Sequence, residues 1–287
     1  MEGDFQKDKL KEKKMKSKEK GLEINIENNE VCFPNPISLA GRVALITGGG
    51  RGIGKAIAIA FAQSGADIVL TSRTLSQLEE TSGEILKIGR KALPVITDVS
   101  KSDQVKTLIE KLLKEFGRID ILVNNAGISP FTVPIEDLRE DGWDKIINTN
   151  LKGIFLCTQT AGREMIKQKQ GKIINMTSIG GVVGFPGQAA YCVSKAGIIM
   201  VTKMFALEWG KYNINVNAIG PGMVETQLTK KYLENKDLVT ERLKRTPLGR
   251  FSQPWDIVGG ALFLASSLSN YMTGQTLFID GGRLIVP

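Results

Sequence analysis

The sequence predicts an α/β fold, a single doubly wound domain built on a seven-stranded parallel sheet, and three observations carry that prediction. Short apolar runs alternate with longer amphipathic stretches from Val43 to Ile279. A glycine-rich turn follows the first of those runs directly. With 287 residues, 42% of them hydrophobic, the chain has material for one large core covering both faces of a sheet.

Residues 1–35 form a charged N-terminal extension. The first thirty positions hold eight lysines and eight acids, with few apolar residues to bury, so a flexible tail is expected there. Pro34 and Pro36 punctuate the entry to the catalytic body, 36–287. The strand candidates follow as Val43–Thr47, Asp67–Thr71, Ala92–Ile96, Ile119–Val123, Gly171–Thr177, Ile214–Ala218 and Thr276–Ile279, each about the length of a buried strand. Between them, Ile53, Ile57, Ala60 and Phe61 mark one helical face, and Leu108, Ile109, Leu112, Leu113 and Phe116 mark another. Strand and helix in alternation imply right-handed crossovers and a Rossmann-like sheet.

Composition narrows the chemistry. The chain has no histidine, which removes histidine-based triads and the commonest zinc ligand, and no metal site is expected. Its three cysteines, Cys32, Cys157 and Cys192, are widely spaced and fit a reducing compartment; the cytoplasm is the expected location. No apolar run suggests a membrane span. The net charge of +8 lies beyond residue 30, because the tail is neutral. A basic body suits acidic or phosphorylated partners. Without an arginine stripe interleaved with aromatics, nucleic acid is not expected among them.

The glycine turn reads Thr47-Gly48-Gly49-Gly50-Arg51-Gly52-Ile53-Gly54, between a strand and a helix. Glycines there admit a pyrophosphate close to the backbone, and the helix N-terminus offers free N–H groups. The second strand ends at Ser72-Arg73, where a site for NAD(H) usually carries an acid. Ser72 does not repel a 2′-phosphate, and Arg73, with Arg51 in the loop, can pair with one. The pattern favours NADP(H) over NAD(H).

Tyr191 and Lys195 stand one helical turn apart after the fifth strand, and Ser178 closes that strand thirteen residues earlier. Strand C-termini are where ligands bind in open α/β sheets. A phenol near an ammonium is drawn toward phenolate, so Tyr191 can exchange a proton with a ketone or alcohol oxygen while Ser178 holds that oxygen.

Taken together, these features resemble the short-chain dehydrogenase/reductase family. The matching segments run in order: TGGGRGIG (47–54), Asp98-Val99, NNAG (124–127), Asn150 within NTNLKG, Ser178, YCVSK (191–195), PGMVET (221–226) and GQTLFIDGG (274–282). The resemblance implies a tetrad of Asn150, Ser178, Tyr191 and Lys195, with Asn150 holding a water that links Lys195 to solvent. It implies that Gly48, Gly52, Ile53 and Gly54 meet the pyrophosphate and that Asp98 and Val99 meet the adenine. Asn125, Ala126 and Gly127 would floor the site, with Asn124 before them. Tyr191 and Lys195 would also touch the cofactor, and Pro221, Gly222, Val224 and Thr226 would flank its nicotinamide. A homotetramer packed through the helices after Gly142 and Ala190 is implied as well.

Within the family the likeness is to 3-oxoacyl-carrier-protein reductases and to gluconate, glucose and polyol dehydrogenases. The expected substrate is a small ketone or secondary alcohol. Its surroundings lie in 128–136, 179–190 and 223–250, with Phe185 and Trp143 as apolar contacts. Acyl carrier protein is a candidate partner, met by Arg163, Lys167 and Lys169 near the mouth; the same residues also read as a solvated helix face. The alternative to an enzyme is a catalytically silent nucleotide-binding or scaffolding protein of the same fold.

Overall fold

The computed structural model describes residues 37–286, together with two short strands, Glu23–Asn25 and Glu30–Cys32, that pair antiparallel. The rest of the expected charged extension lies outside the described residues. From Val43 onward the chain builds seven parallel strands: β1 (Val43–Thr47), β2 (Asp67–Ser72), β3 (Ala92–Ile96), β4 (Ile121–Asn124), β5 (Gly171–Met176), β6 (Ile214–Pro221) and β7 (Thr276–Ile279). Their order in the sheet is β3-β2-β1-β4-β5-β6-β7. The order reverses between β1 and β4, and a crevice opens there at the strand C-termini.

Every residue of β1 and β4 is buried, as a strand covered on both faces requires. On one face α1 (Gly52–Gln63) packs Ile57 and Phe61 with Ile257 and Leu264 of α9 (Pro254–Ala265). On the other, Leu108 and Leu112 of α3 (Ser102–Phe116) meet Met165 of α5 (Gly153–Gln168) and Trp209. Each such side chain, fully buried, contributes about 1.5–3 kcal/mol. The remaining helices are α2 (Leu75–Lys87), α4 (Glu140–Ile147), α6 (Ala189–Trp209), α7 (Lys230–Leu233) and α8 (Lys236–Lys244).

Four strands depart from the sequence expectation: β2 ends one residue later and β5 one residue earlier, and β4 and β6 shift by more. β4 starts at Ile121 instead of Ile119, because Asp120 is engaged in anchoring the sheet edge. Its carboxylate accepts the Val43 N–H at 2.9 Å and pairs with Arg42 and Arg118. β6 runs on to Pro221 instead of stopping at Ala218, because Gly220 and Pro221 remain in register with Phe278 and Ile279 of β7. A side chain at Gly220 would collide with the Phe278 ring.

Two helices position the site. Between α4 and α5 the helical path continues through a five-residue π-turn, Asn148–Lys152. Such turns are rare and cluster at functional positions, and this one carries Asn150 to full burial. The other is α6, which with its last turn spans Ala189–Tyr212 and contains an 18-residue window of mean hydropathy 1.4. By length and composition alone it is apolar enough to cross a membrane, although Lys195, Lys203 and Glu208 interrupt it. One side of it lies in the fold, burying Ser194, Lys195, Ile198, Thr202 and Ala206. Its other side leaves Met200, Met204 and Leu207 exposed.

Candidate active site

The glycine turn is tied down before it can hold anything. The Thr47 hydroxyl at the end of β1 accepts the Asn125 and Ala126 N–H groups at 2.9 and 3.0 Å. The Asn125 amide donates back to the Thr47 and Gly48 carbonyls at 3.0 and 3.2 Å. The loops after β1 and β4 are thereby laced across the point where strand order reverses. Gly48 takes φ +66°, and a Cβ there would stand 2.8 Å from Asn125 Nδ2, so the cradle is shaped by the absence of side chains.

Two connected grooves leave this point. The first, enclosing about 750 Å³, is lined by Gly48, Arg51, Ser72, Arg73, Asp98, Val99, Asn125, Ala126 and Gly127. The second, about 580 Å³, is lined by Ile53, Asn125, Gly127, Ser178, Tyr191, Lys195, Pro221, Gly222, Val224 and Thr226. Among the expected contacts, Gly52, Gly54 and Asn150 line neither groove. Gly54 is buried behind the turn, Gly52 lies against Thr226, and Asn150 sits beneath Gly127.

At the far end of the first groove, Arg51 and Arg73 are exposed and form no ion pair among the described residues. The Ser72 hydroxyl closes its own turn by accepting the Thr74 N–H at 3.2 Å. Burial opposes ionisation of Asp98, but the Ser100 hydroxyl and amide, with Arg73 and Lys101 nearby, hold its carboxyl below the usual value. The buried hydroxyls of Thr71 and Thr97 line this groove without a hydrogen-bond partner in the protein. A glycine-lined cradle, two free guanidinium groups and orphaned hydroxyls together fit a phosphorylated dinucleotide.

The second groove holds the reactive cluster. Ser178 ends the segment after β5, and its Oγ accepts the Gly180 N–H at 3.1 Å. Tyr191 and Ser178 line this groove together, with the Ser178 hydroxyl near enough to draw the phenol down. Thr177 Oγ1 donates to the Lys195 carbonyl at 2.7 Å and fixes α6 against the strand end. The Lys195 ammonium donates to the Met176 carbonyl at 2.8 Å and lies 5.6 Å from the Tyr191 ring centre. Burial pushes Lys195 down to about 8. Burial likewise raises the Tyr191 phenol, and the Ser178 hydroxyl only partly offsets it. The expected depression of Tyr191 by Lys195 is therefore not met in the protein alone, because desolvation dominates and the ammonium points at a carbonyl.

Asn150 is committed to backbone. Its amide donates to the Ile128 carbonyl at 2.9 Å, and its Oδ1 accepts the Ile128 N–H at 2.8 Å. The same amide reaches Ser194 Oγ at 3.2 Å, and Ser194 in turn donates to the Tyr191 carbonyl at 2.7 Å. The π-turn thus braces α6 directly below Tyr191.

Some expected roles are corrected. Arg163, Lys167 and Lys169 do not stand near the mouth. They lie toward the C-terminal end of α5, where Gln168 bonds Ile119 in both directions at 3.1 and 2.7 Å, at the entry to β4 and the opposite edge of the sheet. Trp143 does not line the substrate side of the site, whereas Phe185 does. Sequence reasoning also passed over residues that do. Tyr232 of α7 meets Thr132 and Gln188 at 2.7 Å each, and Arg242 of α8 stacks on Phe185. Thr47, too, was read only as part of a motif. Among the described residues no group of three or more histidine, cysteine, aspartate or glutamate side chains is placed to hold a metal ion.

This assembly is that of a nucleotide-dependent oxidoreductase, and the comparisons agree. A family model described as enoyl-(acyl carrier protein) reductase matches residues 48–283. The chain belongs to the short-chain dehydrogenase/reductase family. It is 44% identical over 247 residues to the 3-oxoacyl-(acyl-carrier-protein) reductase FabG of Thermotoga maritima, covering 86% of this chain and 99% of the relative. It is 41% identical over 251 residues to the 2-dehydro-3-deoxy-D-gluconate 5-dehydrogenase of Dickeya dadantii, covering 87% and 98%. Among solved structures it matches a gluconate 5-dehydrogenase of Burkholderia cenocepacia in complex with NADP and tartrate, with TM-score 0.85, 37% identity and coverage of 88% of this chain and 99% of that one.

Proposed function

We propose that the protein is an NADP(H)-dependent oxidoreductase acting on a ketone or secondary alcohol, with Tyr191 as the acid/base. The observation that supports this reading is the convergence of Ser178, Tyr191 and Lys195 on one groove, with the Lys195 ammonium 5.6 Å from the Tyr191 ring centre. Ser178 and Tyr191 present two hydroxyls to one point, which suits a single substrate oxygen. Bound in the grooves, the cofactor supplies or accepts the hydride. Tyr191 delivers a proton to the ketone oxygen in reduction and withdraws it from the alcohol in oxidation. Lys195, charged below about pH 8, stabilises the phenolate that remains. In this reading Asn150 is a positioning residue beneath both, supported by its bonds to the Ile128 backbone and Ser194.

Arg51, Ser72 and Arg73 hold the 2′-phosphate in this reading. Arg73→Ala is expected to weaken NADPH binding by about 10- to 100-fold, the loss of one charge-assisted hydrogen bond, with NADH affinity within about twofold. Fluorescence titration of both nucleotides measures it, and equal losses for the two would overturn the assignment.

The relatives act on 3-oxoacyl thioesters and on sugar acids, and either class of substrate offers a ketone to Tyr191. Oxidoreduction of that carbonyl is tested by a panel of ketones and polyols read at the NADPH absorbance, with an enoyl thioester as a control. Turnover of the enoyl compound alone would overturn the carbonyl reading. Exposed apolar side chains on α5 and α6, including Phe155, Met200 and Leu207 at 40%, 57% and 79% exposure, support a homotetramer formed through those helices.

A further inference from the structure

The substrate side of the site contains a cation that the protein leaves unanswered. Arg242, in the last turn of α8, lines the same cleft as Ser178 and Tyr191. Its guanidinium lies 5.2 Å from the Phe185 ring centre, and its buried Nε has no hydrogen-bond partner. It forms no ion pair among the described residues. The nearest carboxylates in the adjoining pocket are already spent. Asp256 is held by Arg250 at 2.6 and 3.0 Å and by the Gln253 N–H at 2.7 Å. Asp280 accepts the Gly282 and Leu284 N–H groups at 3.0 and 2.7 Å. Glu241 faces Arg245 at 3.8 Å, and Arg283 adds a like charge nearby. Burial and that like charge both disfavour the charged guanidinium, though Tyr232 and Glu241 offset them in part.

A partly desolvated guanidinium without an acceptor is costly, and a planar anion that fills its fork removes the cost. Polar groups lining the same cleft, among them Ser129, Gln188 and Tyr232, suit a hydroxylated carbon chain. We propose that Arg242 is a specificity residue that binds the carboxylate of a small hydroxy or keto acid while Tyr191 works on its carbonyl or carbinol carbon. This rests on the reading of Tyr191 as acid/base. A carrier-borne 3-oxoacyl thioester is neutral beside its ketone and keeps its charge at the far end of the arm, so it gives Arg242 nothing to bind within the cleft.

The test uses the full chain with NADP+ and three probes: D-gluconate, its neutral counterpart D-glucitol, and a 3-oxobutyryl thioester of N-acetylcysteamine assayed with NADPH. Arg242→Met is expected to lower kcat/KM for gluconate by about 10- to 100-fold, the worth of hydrogen bonds to a charged group, while the two neutral probes change by less than about threefold. Arg242→Lys, which keeps charge and loses the fork, is expected to fall between. Calorimetric titration of gluconate into the NADP+-loaded protein separates binding from chemistry. Tyr191→Phe should abolish turnover and keep gluconate binding, whereas Arg242→Met should lose that binding. Loss of all three activities in parallel in Arg242→Met, or no gluconate binding to the wild-type complex, would overturn the proposal. Gluconate binding that depends on Arg242 without any turnover would instead uphold it and sink the acid/base reading.

Discussion

Tyr191→Phe is expected to lower kcat by about 10³-fold while NADPH binds with unchanged affinity, the range in which a positioned acid/base contributes. The ring stays beside Gly180, and only the hydroxyl is lost. Stopped-flow or steady-state absorbance measures turnover, and nucleotide fluorescence measures binding. A variant that retains full turnover would show that another group moves the proton. The pH dependence sharpens this. Burial holds the Tyr191 phenol protonated beyond its ordinary range, so it enters ketone reduction ready to donate. Burial also brings Lys195 down to about 8, so its ammonium is present below that pH and lost above it. The kcat/KM for reduction is therefore expected to fall as pH rises through about 8, and Lys195→Met should abolish that limb of the profile. Retention of the same limb in Lys195→Met would assign it to a different group.

Much of the site could be read from the sequence because its parts sit at strand ends, and strand ends are marked by changes in pattern. Thr47, Ser72, Asn124 and Ser178 each follow an apolar run, and their approximate positions at the C-terminal edge follow from parallel topology alone. Tyr191 and Lys195 needed only helical spacing. What remained hidden depends on geometry that no local pattern encodes. Asn150 is expected in the site through the family resemblance alone, and the π-turn that brings it inward, NTNLK, differs little in sequence from ordinary helix. Arg163, Lys167 and Lys169 lie within sixteen residues of Ser178 in the chain, yet helices and strands alternate in direction, so the end of α5 faces away from the site. Arg242 comes from a polar helix whose sequence reads as solvated surface, and only the fold tucks its guanidinium under Phe185. The phenol's acidity was misjudged for a similar reason. Proximity of charge is visible in spacing, whereas desolvation depends on what covers the pair.

Gly54→Ala is expected to cost about 3 kcal/mol or more of stability and to abolish nucleotide binding, although alanine is the better helix former. The first turn of α1 passes so near the glycine loop that a methyl group would press into the Gly48 carbonyl oxygen and come within 2.6 Å of Asn125 Nδ2. Neither neighbour is free to yield. The Gly48 carbonyl accepts the Asn125 amide at 3.2 Å, and Asn125 in turn holds Thr47, so relief of the clash would unlace the loops after β1 and β4. Helix propensity would favour the alanine by about 1 kcal/mol, a smaller effect than displacing this buried backbone. Thermal denaturation with and without NADP+ distinguishes the effects. The wild type should be stabilised by the nucleotide and the variant should melt lower without responding to it. A variant with unchanged melting temperature and normal nucleotide response would mean that the loop can retreat, and the close approach of helix and loop would then not be what shapes the cradle.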